Sequence, residues 1–331
     1  MKMMVVYSLL AIFPLPLHAI PEDSLTKEYD SLILPYLRGN SVLGEIKAAD
    51  GSILKWQRIS TADSQRIMIL LGGHTESYVK YSELFYDLRD MGLSIYALDQ
   101  RGQGFSSRML SDREKDHVDD YHKYVTDLEQ FIADVVHPSA DAKVILLGHS
   151  LGGAVAAAYA EKHPSQLAGL ILSSPYLGSK AGPFAMFILQ ALDFFGRGRE
   201  YVPGGGPFRI VPFEKNKETH SRVRHERKMQ DYLDAPAIRL GYPTNHWMTQ
   251  LEKMGKEIRK NANKIASPML VLQAGKDEYA DTGVQDDFCV DIQNCEKVVI
   301  AEAFHEILIE TDEIRDVALS AIRSFIQRCC P

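Results

Sequence analysis

Short apolar runs alternate with longer amphipathic stretches along most of the chain, a pattern typical of strands that alternate with helices. The first two runs flank Asp50-Gly51 and predict a β-hairpin. The later runs are separated by stretches of helical periodicity, which predicts an α/β fold: a mostly parallel sheet with helices on both faces. The predicted strands are Glu45–Ala49, Ile53–Ile59, Arg66–Leu71, Leu93–Leu98, Val144–Leu147, Leu167–Leu172, Met269–Gln273 and Lys297–Ile300. The predicted helices are Tyr78–Met91, Val118–Val136, Ala154–His163 and Asp312–Gln327.

The alternation breaks between residues 176 and 262, where aromatic, basic and Gly/Pro-rich segments replace it. Because strand-like runs resume at Met269, we interpret this stretch as an insertion between two strands of one sheet and not as an independent domain. The expected organisation is a first core part at 20–175, an inserted lid (cap) at 176–262 and a second core part at 263–331. An insertion at the carboxyl ends of parallel strands lies over a site formed there.

The first residues form a separate pattern. Lys2 precedes an apolar run from Met3 to Phe13, and the small residue Ala19 comes before the polar residues 21–23. A charged start, a short apolar stretch and a small residue at the cleavage point are typical of a secretory signal peptide. We therefore expect residues 1–19 to be a cleaved leader. An uncleaved membrane anchor and a disordered start are the alternatives, although the run is short for a transmembrane helix.

The net charge and the cysteines indicate which partners and which cellular compartment to expect. The formal net charge of −7 argues against nucleic acid as the main partner. The four cysteines all lie late in the chain, at Cys289, Cys295, Cys329 and Cys330. In an exported protein they predict disulfides, and Cys289 and Cys295 flank a turn short enough for them to bond. Free thiols in a cytoplasmic protein are the alternative. Metal binding is not expected, because no Cys-x-x-Cys or His pair accompanies the cysteines.

The stretch Val144–Gly153 reads VILLGHSLGG and contains a G-x-S-x-G motif centred on Ser150. A buried strand before the motif and a helix after it are the context of a nucleophile elbow, in which the serine stands on a strained turn at the start of the helix. The alternative is a Gly-rich strand-to-helix turn in another doubly wound sheet. We take Ser150 as the candidate nucleophile.

A serine nucleophile needs a base, and the base needs an orienting acid. In enzymes with this elbow the order along the chain is Ser, acid, His. Asp277 and His305 follow the last two predicted strands and fit that order, with Glu278 and Asp281 as alternative acids. His149, beside the nucleophile, is predicted to be structural.

Four segments, together with the elbow, resemble the monoacylglycerol lipases and their bacterial lysophospholipase relatives, with the closer likeness to the lysophospholipases. They are Gly73–Tyr81 (GHTESYVKY), Asp99–Gly104 (DQRGQG), Thr219–Arg222 and Ala303–Leu308, within a resemblance that spans Leu43 to Gln327. The resemblance implies the α/β-hydrolase fold of the serine aminopeptidase-like superfamily. It also implies Ser150, Asp277 and His305 as a catalytic triad, with the backbone N–H groups of His74 and Leu151 as oxyanion donors.

These features predict a serine ester hydrolase that releases the fatty acid from lysophospholipids through an acyl-enzyme. A monoacylglycerol lipase, or another carboxylesterase or peptidase on the same fold, is the alternative. A lipid-binding protein without turnover is a third. We expect no metal or organic cofactor. For a bacterial member the leader predicts a periplasmic or secreted protein, with association with the inner membrane as the alternative.

The insertion contains the features expected to recognise the lipid. Residues Phe184–Phe195 (FAMFILQALDFF) are apolar nearly all the way round, and are suited to line an acyl channel or to dip into a membrane surface. The following Arg197–Lys228 contains nine Lys or Arg and four Glu, a local charge of +5. Phe184 and Phe187 are the predicted acyl contacts, and Arg222 and Arg224 the predicted phosphate contacts. The alternative is a solvated basic face over an ordinary hydrophobic lid.

Overall fold

One eight-stranded sheet organises the protein, whose structure is a computed structural model that describes residues 19–60 and 64–330. The strands are β1 Ser41–Lys47, β2 Ile53–Ile59, β3 Arg66–Leu71, β4 Ser94–Leu98, β5 Lys143–His149, β6 Gly169–Ser173, β7 Met269–Ala274 and β8 Cys295–Ile300. They lie in the order β1-β2-β4-β3-β5-β6-β7-β8. Strand β2 pairs antiparallel with β1 and β4, and every other pairing is parallel. The predicted hairpin and the predicted mostly parallel sheet are confirmed.

The described residues contain ten α-helices: α1 Glu22–Glu28, α2 Leu34–Asn40, α3 Ser82–Asp87, α4 His122–Phe131, α5 Leu151–Lys162, α6 Gly182–Leu192, α7 Arg222–Asp234, α8 Asn245–Asn261, α9 Thr282–Val290 and α10 Asp312–Cys329. Turns of π-helix at Tyr29–Ile33, Ile132–Val136 and Asp193–Arg197 continue α1, α4 and α6. Helices α4, α5 and α8 cover one face of the sheet, and α1, α2, α3 and α10 cover the other.

The central strands are apolar throughout because both of their faces are buried. In β5, Leu146 packs into the cluster under α4 and α5, whereas Ile145 and Leu147 pack into the cluster under α3 and α10. All the predicted strands are present, and β3 has its predicted bounds. The predicted helices do not include α1, α2, α9 or the three helices at 176–262, which are α6, α7 and α8.

The predicted insertion lies between β6 and β7, and no strand of the sheet falls within residues 176–262, all of which the structure describes. Its last helix, α8, does not behave as a lid. Trp247, Leu251, Met254 and Ile258 are buried in the same apolar cluster as α5. The inserted segment proper therefore ends before α8, because the apolar stripe of that helix completes the layer of helices on the core.

A disulfide joins Cys289 at the end of α9 to Cys295 at the start of β8, while Cys329 and Cys330 are free thiols. The predicted leader lies outside the described residues, except for Ala19. Across the described part of the chain, none of the helices has the length and apolar character needed to cross a bilayer.

Candidate active site

Ser150 stands on a strained turn between β5 and α5, with φ 49° and ψ −112°. This left-handed backbone conformation costs energy for a residue with a side chain, and such strain is typical of functional sites. The two glycines of the motif permit the turn. A Cβ at Gly148 would overlap the backbone of Gly152, and a Cβ at Gly152 would overlap the backbone of Leu71. The structure thus has the geometry of a nucleophile elbow.

His305 and Asp277 meet at the carboxyl ends of β7 and β8. Nδ1 of His305 lies 2.7 Å from Oδ2 of Asp277, and both side chains are buried. Oδ1 of Asp277 accepts hydrogen bonds from the backbone N–H groups of Tyr279 and Ala280, at 2.8 and 2.9 Å. These contacts fix the carboxylate and leave Nε2 of the imidazole as the nitrogen that faces away from the acid.

The two alternative acids have other partners. Glu278 forms an ion pair with Lys217 at the surface, with Nζ and Oε2 2.7 Å apart. Asp281 caps α9 by accepting hydrogen bonds from the backbone N–H groups of Gly283 and Val284. Asp277 is therefore the carboxylate that the structure brings to His305.

The charges around this pair favour an ionised acid and a basic imidazole. Burial opposes protonation of His305, but the hydrogen bond and charge of Asp277, with the charges of Glu306 and Glu218, outweigh it and raise the pKa of His305. Burial also disfavours the Asp277 carboxylate. The hydrogen bond and charge of His305 and the two backbone donors outweigh that effect, so the pKa of Asp277 lies below its ordinary value.

The elbow packs directly against the loop that carries His305. The ring of His149 lies 4.9 Å, centroid to centroid, from the ring of His305. Nδ1 of His149 lies 3.1 Å from the backbone oxygen of Ser173, and Nε2 lies 3.2 Å from Oε2 of Glu306. His149 thus links the elbow to the neighbouring strand and to the histidine loop, in keeping with the structural role predicted for it.

The two expected oxyanion donors lie in the loop after β3, which carries His74, and at the first residue of α5, Leu151. The N–H groups on either side of His74 are used elsewhere: that of Gly73 donates to Glu76 at 2.6 Å and that of Thr75 to Gln103 at 2.8 Å. By contrast, the N–H groups of His74 and Leu151 donate to no acceptor in the part of the chain that the structure describes. Free N–H groups beside a nucleophile are what a developing oxyanion needs.

The Asp99–Gly104 motif holds this loop in place. Asp99 accepts hydrogen bonds from the hydroxyl of Ser77 and from the backbone N–H of Tyr78, at 2.9 and 2.7 Å. Gln100 donates to the backbone oxygen of Gly72 at 2.9 Å. The sequence singles out this motif only as part of a resemblance. The structure shows that three members of the motif, Asp99, Gln100 and Gln103, anchor the loop that carries His74.

The predicted lipid contacts do not form a closed channel. Phe184 and Phe187 lie on α6 with 75% and 65% of their surface exposed. Arg222 is also exposed and forms ion pairs with Glu214 and Glu226, at 2.8 and 3.4 Å. These three side chains are therefore accessible from outside the protein.

Arg224 was predicted to contact phosphate, and the structure shows that this prediction is wrong. Its side chain is 1% exposed. The guanidinium forms hydrogen bonds with both oxygens of Glu83, with the backbone oxygen of Glu310 and with Asp312. These partners occupy four of its five N–H donors. Arg224 ties α7 to α3 and α10 inside the protein, where a lipid phosphate has no access.

Three buried side chains of the types that ligate metals, Glu76, His149 and Glu306, have ligand atoms within 4.8 Å of one another. The ammonium group of Lys80 forms ion pairs with both of these glutamates, and that of Lys228 forms another with Glu306. Lysine charges therefore already compensate the carboxylates, and the donor set does not suit a metal ion.

The sheet, its flanking helices and the turn at Ser150 define the α/β-hydrolase class. The chain belongs to the serine aminopeptidase S33 family, whose model matches residues 62–312. Escherichia coli (strain K12) lysophospholipase L2 is 35% identical to it over 295 residues, which cover 86% of this chain and 87% of that protein. Human monoglyceride lipase is 31% identical over 270 residues, 80% of each chain.

A solved structure shares the fold as well. The crystal structure of a soluble variant of Saccharomyces cerevisiae monoglyceride lipase, in complex with a substrate analog, matches with a TM-score of 0.71 and 19% identity. The match covers 88% of this chain and 96% of that chain. The resemblance found in the sequence and the α/β-hydrolase fold that it implied are confirmed.

Proposed function

We propose that this protein is a serine carboxylic ester hydrolase that releases the fatty acid from lysophospholipids. The observation that carries the proposal is the strained elbow at Ser150, where the ring of the neighbouring His149 lies 4.9 Å from the ring of His305, which is paired with the buried Asp277. Similarity to lysophospholipase L2 over most of both chains supports the substrate class.

Each group has a role in an acyl-enzyme mechanism. Oγ of Ser150 attacks the ester carbonyl carbon while His305 accepts the hydroxyl proton, and Asp277 stabilises the imidazolium that forms. The N–H groups of His74 and Leu151 stabilise the oxyanion. His305 then protonates the leaving alkoxide, and a water molecule activated by the same imidazole releases the fatty acid.

The outer surface of α6 and the turn after it suits a lipid aggregate. Phe184, Phe187, Phe194 and Phe195 are at least 65% exposed, which is unusual for adjacent aromatic side chains. Arg197 and Arg199 follow them on the exposed surface. Aromatic and basic residues together are typical of segments that dip into a membrane interface. We therefore propose that this aromatic surface docks on the lipid surface that presents the substrate.

Monoacylglycerol is the second candidate substrate, favoured by the similarity to human monoglyceride lipase. It shares the single acyl chain and lacks the phosphate. Arg222, exposed and stacked 4.3 Å from the ring centroid of Phe213, is the candidate contact that separates the two substrates.

The proposed location is the periplasm or the exterior, with inner-membrane association as the alternative. The disulfide between Cys289 and Cys295 supports an oxidising compartment. Sequencing the N-terminus of the protein recovered from the periplasm tests whether the leader is removed near Ala19.

Activity on matched substrates tests the proposed function. Wild-type protein should hydrolyse a lysophospholipid, and Ser150→Ala should lose the activity by several powers of ten while it keeps a cooperative unfolding transition. A fluorophosphonate probe should label the wild type and not the variant. Labelling of Ser150→Ala at the wild-type rate contradicts the assignment. A monoacylglycerol of equal chain length, compared with and without Arg222→Gln, decides between the two substrates.

A further inference from the structure

Six ionisable side chains form a cluster behind the candidate active site, which we call the buried charge cluster. Its members are Glu76, Lys80, His149, Glu218, Lys228 and Glu306. All except Glu218 have side chains no more than 6% exposed. Burying this many charges is costly unless they compensate one another, and the geometry shows how they do so.

Glu306 is at the centre of the cluster. Its carboxylate pairs with Lys80, with Lys228 at 3.0 Å and with His149 at 3.2 Å. Lys80 also pairs with Glu76, whose other oxygen accepts the backbone N–H of Gly73. The cluster is a continuous set of contacts from the oxyanion loop to the histidine loop.

Three of the residues that make these contacts are adjacent in sequence to a residue of the proposed mechanism. Glu306 follows His305, His149 precedes Ser150, and Gly73 precedes His74. The cluster therefore joins the loops that carry Ser150, His305 and His74. The relative positions of these loops decide whether His305 can take the proton of Ser150 while the oxyanion donors reach the same ester group. Reacting groups displaced by about 1 Å lose about a hundredfold in rate.

Two members of the cluster come from the inserted segment and not from the core. Lys228 lies on α7 and bridges Glu306 and Glu218, with Nζ 2.8 Å from Oε2 of Glu218. The backbone oxygen of Glu218 accepts the N–H of Glu306 at 2.9 Å. The inserted segment thus holds the residue after His305 through both its side chain and its backbone.

The residue before His305 is held from the same segment. The ring of His220 stacks on Phe304 at 3.8 Å between centroids. The buried carboxylate of Glu310 accepts the backbone N–H groups of Phe304 and His220, at 2.9 and 2.8 Å. His305 therefore lies on a loop with both neighbours anchored to residues 218–228.

We propose that Lys228 and Glu218 are positioning residues for the catalytic base. Through these two residues the inserted segment fixes the position of His305 relative to Ser150 and the oxyanion donors. The inference rests on the proposed function, because it assigns His305 as the base. Burial opposes the charge of Lys228, but the two glutamates outweigh it and raise the pKa of Lys228 well above its ordinary value. The two lysines and His149 likewise outweigh burial and hold the pKa of Glu306 well below its ordinary value. Lys228 and Glu306 are therefore both ionised at neutral pH.

The test compares two neighbouring cations on α7. Lys228→Met removes the bridge between Glu218 and Glu306. Arg227→Met is the matched control, because Arg227 also pairs with two carboxylates, Asp231 and Asp234, at 2.6 and 3.0 Å. These partners and the ring of Tyr29, over which its guanidinium lies, belong to no catalytic loop. The measurements are kcat and KM on a soluble short-chain nitrophenyl ester, with thermal unfolding as a check that each variant is folded.

We expect Lys228→Met to lower kcat by about tenfold to a hundredfold with little change in KM, because binding of a short ester does not depend on the base. Arg227→Met should keep kcat near the wild-type value. Lys228→Arg should recover most of the loss, because a guanidinium also pairs with two carboxylates. A folded Lys228→Met with the kcat of Arg227→Met, or one that changes KM alone, overturns the proposal.

A second variant decides the question if Lys228→Met does not fold. Ionisable groups from four elements face His305. They are Asp277 and Tyr279 from the loop after β7, Glu218 from the inserted segment, His149 from the elbow and Glu306 from the same loop as His305. Lys80 and Lys228 lie behind Glu306 and pair with it. The charge of Glu306 raises the pKa of His305. Glu306→Gln removes that charge and should move the acid limb of kcat/KM to lower pH. It also weakens the contacts with Lys80, Lys228 and His149 and should therefore lower kcat.

An unchanged kcat and an unmoved limb in Glu306→Gln overturn the positioning role. Wild-type protein without esterase activity refutes the proposed function itself. An active wild type with a fully active, folded Lys228→Met refutes only the positioning role, so the two failures are distinguishable.

Discussion

The core and the inserted segment differ most in where they place their large apolar side chains. In the core, apolar side chains fill both faces of the sheet, and charged side chains such as Arg101, Arg315 and Arg323 are buried beside them. In the inserted segment, α6 and the turn after it expose phenylalanines, whereas α7 buries Arg224 and Lys228. Buried cations need acidic partners, and the core supplies most of them: Glu83, Glu306 and Asp312.

This difference shows that a local excess of positive charge need not mark an anion-binding surface. The +5 charge of Arg197–Lys228 includes two cations that are structural ties to the core and others that are paired at the surface. Buried ion pairs tie the inserted segment to the core, and its outer aromatic surface is exposed, as the proposed docking on lipid requires. The following predictions test each side of that contrast.

The largest effect is expected in the core, at the acid of the proposed triad. Asp277→Asn removes the charge that stabilises the imidazolium and should lower kcat by about 10⁴-fold. Because the base must be neutral to act, and because Asp277 helps to raise the pKa of His305, wild-type kcat/KM should rise with pH through a value above the ordinary histidine pKa. Steady-state rates across pH measure both effects.

Asp281→Asn is the matched control for that substitution. Asp281 caps α9, and asparagine is nearly as good a cap, so both stability and kcat should stay close to wild type. A larger loss of turnover in Asp281→Asn than in Asp277→Asn contradicts the assignment of the acid.

The second prediction concerns the buried side of the inserted segment. Arg224→Met removes the guanidinium that binds both oxygens of the buried Glu83 and leaves that carboxylate with Arg315, 3.3 Å away. It should lower the free energy of unfolding by about 3 kcal/mol, the lower end of the range for breaking a buried ion pair. Arg222→Gln removes only exposed ion pairs and should change it by less than about 1 kcal/mol. Urea titration of both variants gives the comparison, and equal destabilisation contradicts it.

Much of the fold could be predicted because the features that set it are local in sequence. A strand buried on both faces is a continuous apolar run, and β3 was predicted at its observed bounds for that reason. The glycines around Ser150 predict the elbow, and the order of strands places Asp277 and His305 at the same edge of the sheet. Such inferences need no knowledge of distant contacts.

The rest depends on partners that are remote in sequence. The local excess of basic residues predicted a phosphate contact at Arg224, because the sequence does not show that Glu83 and Asp312 lie beside it in the fold. The same holds for Lys228 and Glu306 in the buried charge cluster. Helix α8 was included in the predicted lid because no strand interrupts residues 176–262, and only its packing against α5 shows that it belongs to the core.

The third prediction concerns the crosslink in the core. The disulfide between Cys289 and Cys295 closes a short loop, so the paired change to Cys289→Ser and Cys295→Ser should cost about 2 kcal/mol of unfolding free energy. The rate on a soluble ester should not change, because the bond lies on α9 and β8, away from Ser150. Reductant should destabilise the wild type by the same amount and leave the paired variant unaffected, whereas equal effects on both contradict a disulfide in solution.

The smallest effect, and the sharpest test of the contrast, is expected on the outer surface of the inserted segment. Phe194 and Phe195 are 85% and 77% exposed and contact each other edge to face, so their replacement by alanine leaves the packed interior untouched. If these rings insert into a lipid surface, the paired variant should lose about tenfold in binding to phospholipid vesicles, because each ring buries apolar area only there. Its kcat on a soluble short-chain ester should equal that of the wild type.

Val290→Ala removes a side chain that is 84% exposed on the core and serves as the matched control, with no expected loss in vesicle binding. An equal loss in both variants would attribute lipid binding to general surface hydrophobicity, and no loss in either would remove the aromatic surface from the proposed function while leaving the chemistry at Ser150 intact.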